Sequence, residues 1–286
     1  MLRLGLRCFL ALEVNGNAKC KKRFNAFYTL LGTFNLTNKD KIMIDLRLGD
    51  CLEVMKTIED NSIDAIITDP PYGTTACKWD SVIPFDLMWE QLNRIIKPNG
   101  AIVLFSAQPF TSALVMSNPK MFRYDYTWDK KKLTGVLNAK KMPLRRHEDI
   151  CVFYKKLPTY NPQKKYNGKK TGIKKHIVNS ENYSKTDKIN TYKDDGSRYP
   201  TSIIDSINGV INNSKEKVKH PTQKPILLME YLIKTYTNEG ETVLDFTMGS
   251  GTTMVACKNT NRHGIGIEKE EKYFKIAKER INSTLF

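Results

Sequence analysis

The sequence has no run of 18 or more apolar residues, so it offers no membrane-spanning helix. Its six cysteines stand at positions 8, 20, 51, 77, 151 and 257, with no CxxC pair and no histidine at zinc-ligand spacing. That pattern sets aside a metal site of zinc-module type and a disulfide scaffold, and predicts reduced thiols in a cytoplasmic protein. No internal repeat is present, which excludes a solenoid. The opening MLRLGLRCFLALEV carries only about six apolar residues before Glu13 and no clean cleavage site, so no secretory leader is expected. Acidic residues are also scarce: 30 Asp and Glu stand against 46 Lys and Arg, for a formal net charge of +16.

That charge is unevenly spread. Residues 1–42 carry a net +6, residues 43–154 are neutral, residues 155–219 carry +9 and residues 220–286 carry +1. A neutral body with basic appendages points to a polyanionic partner. A length of 286 residues fits one large α/β domain, or such a domain with an inserted module.

Hydrophobic patterning begins after residue 42. Met43–Leu48 reads as a strand ending in Gly49-Asp50, followed by a helix over Cys51–Ile58. Asp64–Thr68 is a short apolar run, read as a buried parallel strand. Pro84–Lys97 is amphipathic, with Phe85, Met88, Trp89, Leu92, Ile95 and Ile96 on one face, Pro84 in its first turn and Asn99-Gly100 as its stop. Ala101–Phe105 is a further buried strand, Pro109–Met116 a helix, and Tyr124–Asp129 and Asp149–Tyr154 are strands. Residues 155–219 are rich in Lys, Asn, Ser, Thr and Tyr and leave the alternation. It resumes with a helix at Pro225–Thr237, a strand at Thr242–Phe246, a helix from Thr252, a strand at Gly264–Ile267 and a helix at Glu271–Ser283. Strand and helix alternating through short links predict a doubly wound α/β fold.

Ligands of such folds sit beyond the carboxyl ends of the strands. Asp69-Pro70-Pro71-Tyr72 stands at one such end. The prolines fix the backbone and supply carbonyls without matching N–H groups, so a carboxylate and a prolyl carbonyl form a rigid acceptor pair suited to an –NH2 group. The tyrosine supplies a flat face for a ring. Asp245-Phe246-Thr247-Met248-Gly249-Ser250-Gly251-Thr252 follows another strand and opens a helix, and the next strand ends at Glu268, placed to accept ribose hydroxyls. Met254 stands where a dinucleotide fingerprint has its third glycine, and no phosphate-binding lysine follows, so a nucleoside ligand without a pyrophosphate is favoured. Asp50 alone reads as a helix N-cap, and His220-Pro221-Thr222-Gln223-Lys224-Pro225 as a helix start.

Taken together, these motifs resemble the β class of S-adenosylmethionine-dependent DNA amino-methyltransferases, in which the DPPY tetrad precedes the glycine motif and a target-recognition region lies between them. The resemblance covers residues 43–154 and 220–286, and GTTACKWD at Gly73–Asp80 resembles small phage or prophage members. It implies a Rossmann-like, mostly parallel seven-stranded sheet with circularly permuted motif order. It also implies a division into an N-terminal extension (1–42), a catalytic half (43–154), a basic recognition insert (155–219) and a cofactor-binding half (220–286).

By the same resemblance Asp69, Pro70, Pro71 and Tyr72 hold the target base of a flipped-out adenine. The cofactor S-adenosylmethionine would meet Asp245, Gly249, Gly251 and Thr252 around its methionine end and Glu268 at its ribose. Asp50 would meet its adenine, Thr222 and Lys224 its carboxylate end, and Phe105 and Ser106 the pocket wall. Trp128 with Lys130, and His147-Glu148, match the following strand pair. One departure is that Phe246 and Thr247 replace the family's Pro-Phe after the aspartate. The implied partner is double-stranded DNA, with a second copy and a cognate restriction endonuclease as further candidates. Cytosine N4 methylation, a non-catalytic DNA-binding role and RNA or protein amines are the competing readings; Asp rather than Ser at position 69 favours adenine, and the basic insert favours nucleic acid.

The insert's lysines carry a direct expectation. Replacing Lys164, Lys165, Lys169 and Lys170 with glutamine should weaken DNA binding and reduce the steepness of log K against log salt by up to about 3.6, near 0.9 per lost phosphate contact. A salt titration checks this, and an unchanged slope would mean these lysines do not meet phosphates.

Overall fold

The computed structural model describes residues 42–74, 80–166, 172–176, 190–207, 209 and 223–283. Residues 1–41 of the expected N-terminal extension, and residues 167–171, 177–189, 208 and 210–219 of the basic insert, lie outside them. The elements are β1 (Ile44–Leu48), α1 (Cys51–Met55), β2 (Ile63–Thr68), α2 (Phe85–Ile95), β3 (Ile96–Ser106), α3 (Phe110–Ser117), β4 (Phe122–Thr134) and β5 (Arg145–Phe153). Short strands follow in the insert: β6 (Lys165–Tyr166), β7 (Gly172–His176), β8 (Asn190–Asp194), β9 (Ser197–Arg198) and β10 (Ile203–Ile204). The last part comprises α4 (Ile226–Tyr236), β11 (Thr242–Asp245), α5 (Thr252–Asn259), β12 (His263–Glu268) and α6 (Glu271–Ser283).

One sheet runs in the order β1-β12-β11-β2-β3-β5-β4-β10. β1, β12, β11, β2 and β3 are mutually parallel, whereas β5 is antiparallel to both β3 and β4. This is the doubly wound, mostly parallel fold that the alternation predicts, with eight strands in place of seven. The eighth, β10, comes from the basic insert and pairs in parallel with β4 through Ile203↔Thr127 and Ile204↔Trp128. Two residues in a polar stretch are too short to show a strand period, yet Ile204 is buried against the core. The insert's start is tied down as well. The Asn161 side chain donates to the carbonyls of Lys234 and Thr237 at the end of α4, at 3.2 and 3.1 Å.

Two-residue alternation divides the sheet's side chains between two cores. Ala65, Ile67, Val103, Phe105 and Val152 face one way, under α4, α5 and α6. Ile66, Ile102, Leu104, Cys151 and Phe153 face the other, with Met88, Trp89 and Leu92 of α2. α2 does not run to Asn99-Gly100: it ends at Ile95, and the chain enters β3 at once because Ile96 pairs with Ile63.

Gly251 caps α5 at φ +76°, and a Cβ there would lie 2.9 Å from the Ala277 Cβ of α6. Gly135, at φ +85°, has nothing within 4 Å of its hypothetical Cβ. Gly251→Ala should therefore cost about 2–3 kcal/mol, from left-handed strain plus overpacking, and lower Tm by several degrees. Gly135→Ala should cost about 1 kcal/mol, from strain alone. Equal shifts in thermal unfolding would remove the α6 contact from the explanation.

Candidate active site

Parallel strands bring their carboxyl ends to one edge, so Asp50, Glu268, Asp245 and Asp69 collect there although they are far apart in sequence. Two cavities open along this edge. One, of about 190 Å³, is lined by Asp50, Cys51, Pro71, Thr247, Gly249 and Glu268, among others. The other, of about 330 Å³, is lined by Asp69, Pro70, Pro71, Tyr72, Glu148 and Lys224, among others. Pro71 forms part of both walls. A crevice of about 50 Å³ carries residues of both cavities, Asp69 and Lys224 from one and Thr247 and Gly249 from the other, together with Asp245 and Thr252.

The larger cavity is built around a chain of charges. Asp69 Oδ1 accepts from the Tyr72 hydroxyl at 2.6 Å, and Oδ2 takes a short hydrogen bond from the Lys224 ammonium. That ammonium also lies 3.4 Å from Glu148 Oε2 and 5.0 Å above the Phe105 ring. Lys130 holds the other oxygen of Glu148 at 2.9 Å. Glu148 Oε2 is buried, and among the described residues it makes no polar contact shorter than its ion pair with Lys224. Burial raises the Asp69 carboxyl above its ordinary range by more than Lys224 lowers it. Burial also pushes on Glu148, but the Lys224 and Lys130 ammoniums outweigh it and bring that carboxyl down. Lys224 loses water too, yet the two carboxylates hold its pKa up, so it stays a cation. Burial and the Asp69 charge keep the Tyr72 phenol protonated, and its ring stacks on Phe110 at 5.1 Å.

In the smaller cavity Glu268 accepts from the Gly249 N–H at 2.9 Å and the Glu270 N–H at 2.7 Å, and burial raises its carboxyl. Asp50 caps α1 by accepting from Leu52 N at 3.0 Å, and its second oxygen faces Lys269 at 3.4 Å. Asp245 shapes the glycine loop from beneath. It accepts from Thr68 Oγ1 at 3.1 Å, from Thr247 N at 3.2 Å and from the Thr253 hydroxyl.

The structure thus gathers Asp50, Asp69, Pro70, Pro71, Tyr72, Lys224, Asp245, Gly249, Thr252 and Glu268 around one crevice. It places three other expected residues, Phe105, Ser106 and Gly251, away from these cavities. Phe105 lies under Lys224, and Ser106 is buried and accepts a hydrogen bond from Thr111; neither lines these cavities. Gly251 faces α6, for the steric reason given above. The Lys224 ammonium is bound to Asp69, on the side of the larger cavity. Thr222 lies outside the described residues.

The DNA methylase family model, N6_N4_Mtase, matches residues 63–279, a span that contains the proline wall, the glycine loop and Glu268. The chain belongs to this family. It is 32% identical over 253 residues to the type II methyltransferase M.HpaI of Haemophilus parainfluenzae, covering 84% of this chain and 75% of that protein. It is 26% identical to M1.MboII of Moraxella bovis, covering 82% and 94%. Among solved structures, the M1.HpyAVI–SAM complex superposes with a TM-score of 0.56 at 27% identity, over 84% of this chain and all of that one (100%). The cytosine-N4-specific PvuII DNA methyltransferase, at 16% identity, shares the fold with a TM-score of 0.60 over 85% and 88%.

Several residues of this methylase site have no role assigned from sequence. Lys130 and Glu148 complete the charge chain, and only their positions on the paired strands β4 and β5 hint at a meeting. Buried Arg280 of α6 donates to the Ser250 carbonyl at 2.6 Å and to Thr252 Oγ1 at 3.2 Å, closing the glycine loop. A final-turn arginine gives no sequence signal of such a contact.

Burial pushes the Asp245 carboxyl from 3.8 up to about 7, against the hydrogen bonds that lower it. The fold therefore favours its neutral form. The stability it contributes is complete below pH 4 and is lost as pH rises to about 7. In Asp245→Asn, which stays neutral, this loss is absent, so urea unfolding should show the variant gaining on the wild type by about 2–4 kcal/mol between those limits. A difference that stays constant with pH would place the charged form in the native state throughout.

Proposed function

We propose that this methylase transfers a methyl group to the exocyclic N6 of an adenine flipped out of double-stranded DNA, with S-adenosylmethionine as methyl donor. The observation that carries the reading is the Asp69-Pro70-Pro71 wall between two cavities, with a carboxylate on one side and Pro71 common to both. The smaller cavity fits the donor's nucleoside end. Glu268 spends one bond on each oxygen and keeps lone pairs for ribose hydroxyls, and Asp50 adds an acceptor nearby. When bound, S-adenosylmethionine supplies an electrophilic methyl on a sulfonium.

Adenine's amine is a weak nucleophile because its lone pair is delocalised into the ring. Asp69 and the Pro70 carbonyl, accepting its two N–H bonds, would draw the nitrogen toward tetrahedral geometry and localise that pair. The pair forms the N–C bond as the C–S bond breaks and its electrons return to sulfur. Asp69, raised by burial, is suited to receive the proton that the nitrogen then sheds. Alignment across the wall supplies orientation, and the carboxylate stabilises positive charge developing on nitrogen. Tyr72, with one face on Phe110 and its ring lining the cavity, is suited to stack the extruded base.

Both oxygens of Asp69 are already engaged, one of them by an ammonium. Lys224 thus stands in for the amine, and Oε2 of Glu148, already ion-paired with it at 3.4 Å, is the acceptor toward which Lys224 can shift when the base arrives.

Asp69→Asn keeps the size and one acceptor but loses the charge and can present an N–H where an acceptor is needed. It should fold and bind S-adenosylmethionine yet transfer methyl groups at least ~100-fold more slowly. The assay is transfer from labelled donor to DNA of mixed sequence, with the methylated bases separated and the sites sequenced. Near-normal turnover would end the mechanism. Label on cytosine N4 would overturn adenine and leave the mechanism standing.

A further inference from the structure

Beyond the sheet, β4 and β5 continue as a hairpin whose tip is the 3₁₀ turn Val136–Asn138. Hydrogen bonds of its own close this tip, from Lys141 N and Met142 N to the Asn138 carbonyl at 2.8 and 3.0 Å. It presents four large apolar side chains to solvent: Leu133 (53% exposed), Val136 (68%), Leu137 (100%) and Met142 (57%). Single exposed apolar residues are ordinary, but four within ten residues on a folded projection mark a contact surface.

Its charge identifies the partner. No acidic residue occurs between Lys130 and His147, while Lys131, Lys132, Lys140, Lys141 and Arg145 are all exposed. Its position does the rest. Lys132, Thr134 and Arg145, at the root of the hairpin, line the larger cavity, and Arg145 is fastened to the body through the Gln108 carbonyl at 2.9 Å.

We propose that this hairpin is a wedge for duplex DNA, its Val136-Leu137 tip entering the base stack where the target base has left and its lysines gripping the flanking phosphates. The proposal rests on the reading above, that the larger cavity takes a base drawn from a duplex. An extruded base leaves apolar stacking faces open, and a rigid apolar tip beside the receiving cavity covers them, which holds the base outside. The surrounding cations draw the apolar tip to the polyanionic duplex.

The test is the double variant V136S/L137S, compared with the wild type in methyl transfer from labelled S-adenosylmethionine. One substrate is duplex DNA carrying the sequenced modification site; the other is the same duplex with a mismatch opposite the modified base. Both changes are on the surface, so an unchanged Tm and donor affinity verify the fold. Transfer to the paired duplex should fall at least about tenfold, and the mismatch, where extrusion is easier, should restore most of it. Equal losses on both substrates, or no loss on the paired duplex, would overturn the wedge. So would sedimentation showing a wild-type dimer that the variant dissolves, because the tip would then cover a second copy. A wild type that methylates no DNA would sink the substrate reading and the wedge with it; wild-type transfer with an unaffected variant sinks the wedge alone.

Discussion

The Lys224 ammonium ties together three stretches of chain that have no local reason to meet: the proline wall through Asp69, the β5 strand through Glu148 and the approach to α4 that carries Lys224 itself. A cation removed from water this far is costly unless its charge is matched, and two carboxylates match it while Lys130 balances the second of them. The cluster is neutral as a whole, and its longest ion pair is the 3.4 Å contact of Lys224 with Glu148 Oε2. That long contact, which can shorten, gives the arrangement a direction in which it can rearrange. The acidic wall, the depth of the larger cavity and the seating of Phe105 beneath the ammonium all follow from where that charge is held.

Much of this was readable from the sequence, and the parts that were share one property: they depend on neighbours along the chain. Asp64–Thr68 and Ala101–Phe105 are apolar runs of strand length, and they became the middle of the sheet. The tetrad at 69–72 and the acid at 268 stand directly after strands, so the rule that ligands gather at strand ends placed them at the cavities. What the sequence concealed depends on residues far apart. The partner of Lys224 is 155 positions away. Gly251 keeps the tight left-handed turn that the motif predicts, but the contact on its side-chain position, with Ala277 of α6, gives no sequence signal. Phe105 and Ser106 end a strand as expected, yet β5 pairs antiparallel beside them and they are buried away from the cavities.

The substitution of Phe246 and Thr247 for the family's Pro-Phe also has a local explanation. Phe246 is buried beneath the sheet edge with Ile267 and Leu244. Thr247 turns its hydroxyl to the Asp69 carbonyl at 3.0 Å, so the glycine loop and the proline wall are bonded directly. Thr68 reinforces the same seam by donating to Asp245 while accepting from the Phe246 N–H. Two loops that each hold part of the crevice are thereby fixed as one rigid unit.

The two anchors of the basic segment have a consequence for how such proteins diversify. Asn161 fastens one end of the segment to α4, and Ile203–Ile204 fasten the other to the outer strand of the sheet. Between these fixed points the described residues add no strand to the main sheet and form two small ribbons of their own. Its length and sequence can therefore drift without disturbing the catalytic frame. Change in the segment is thereby uncoupled from change in the frame, because its ends are what tie it to the sheet and to α4.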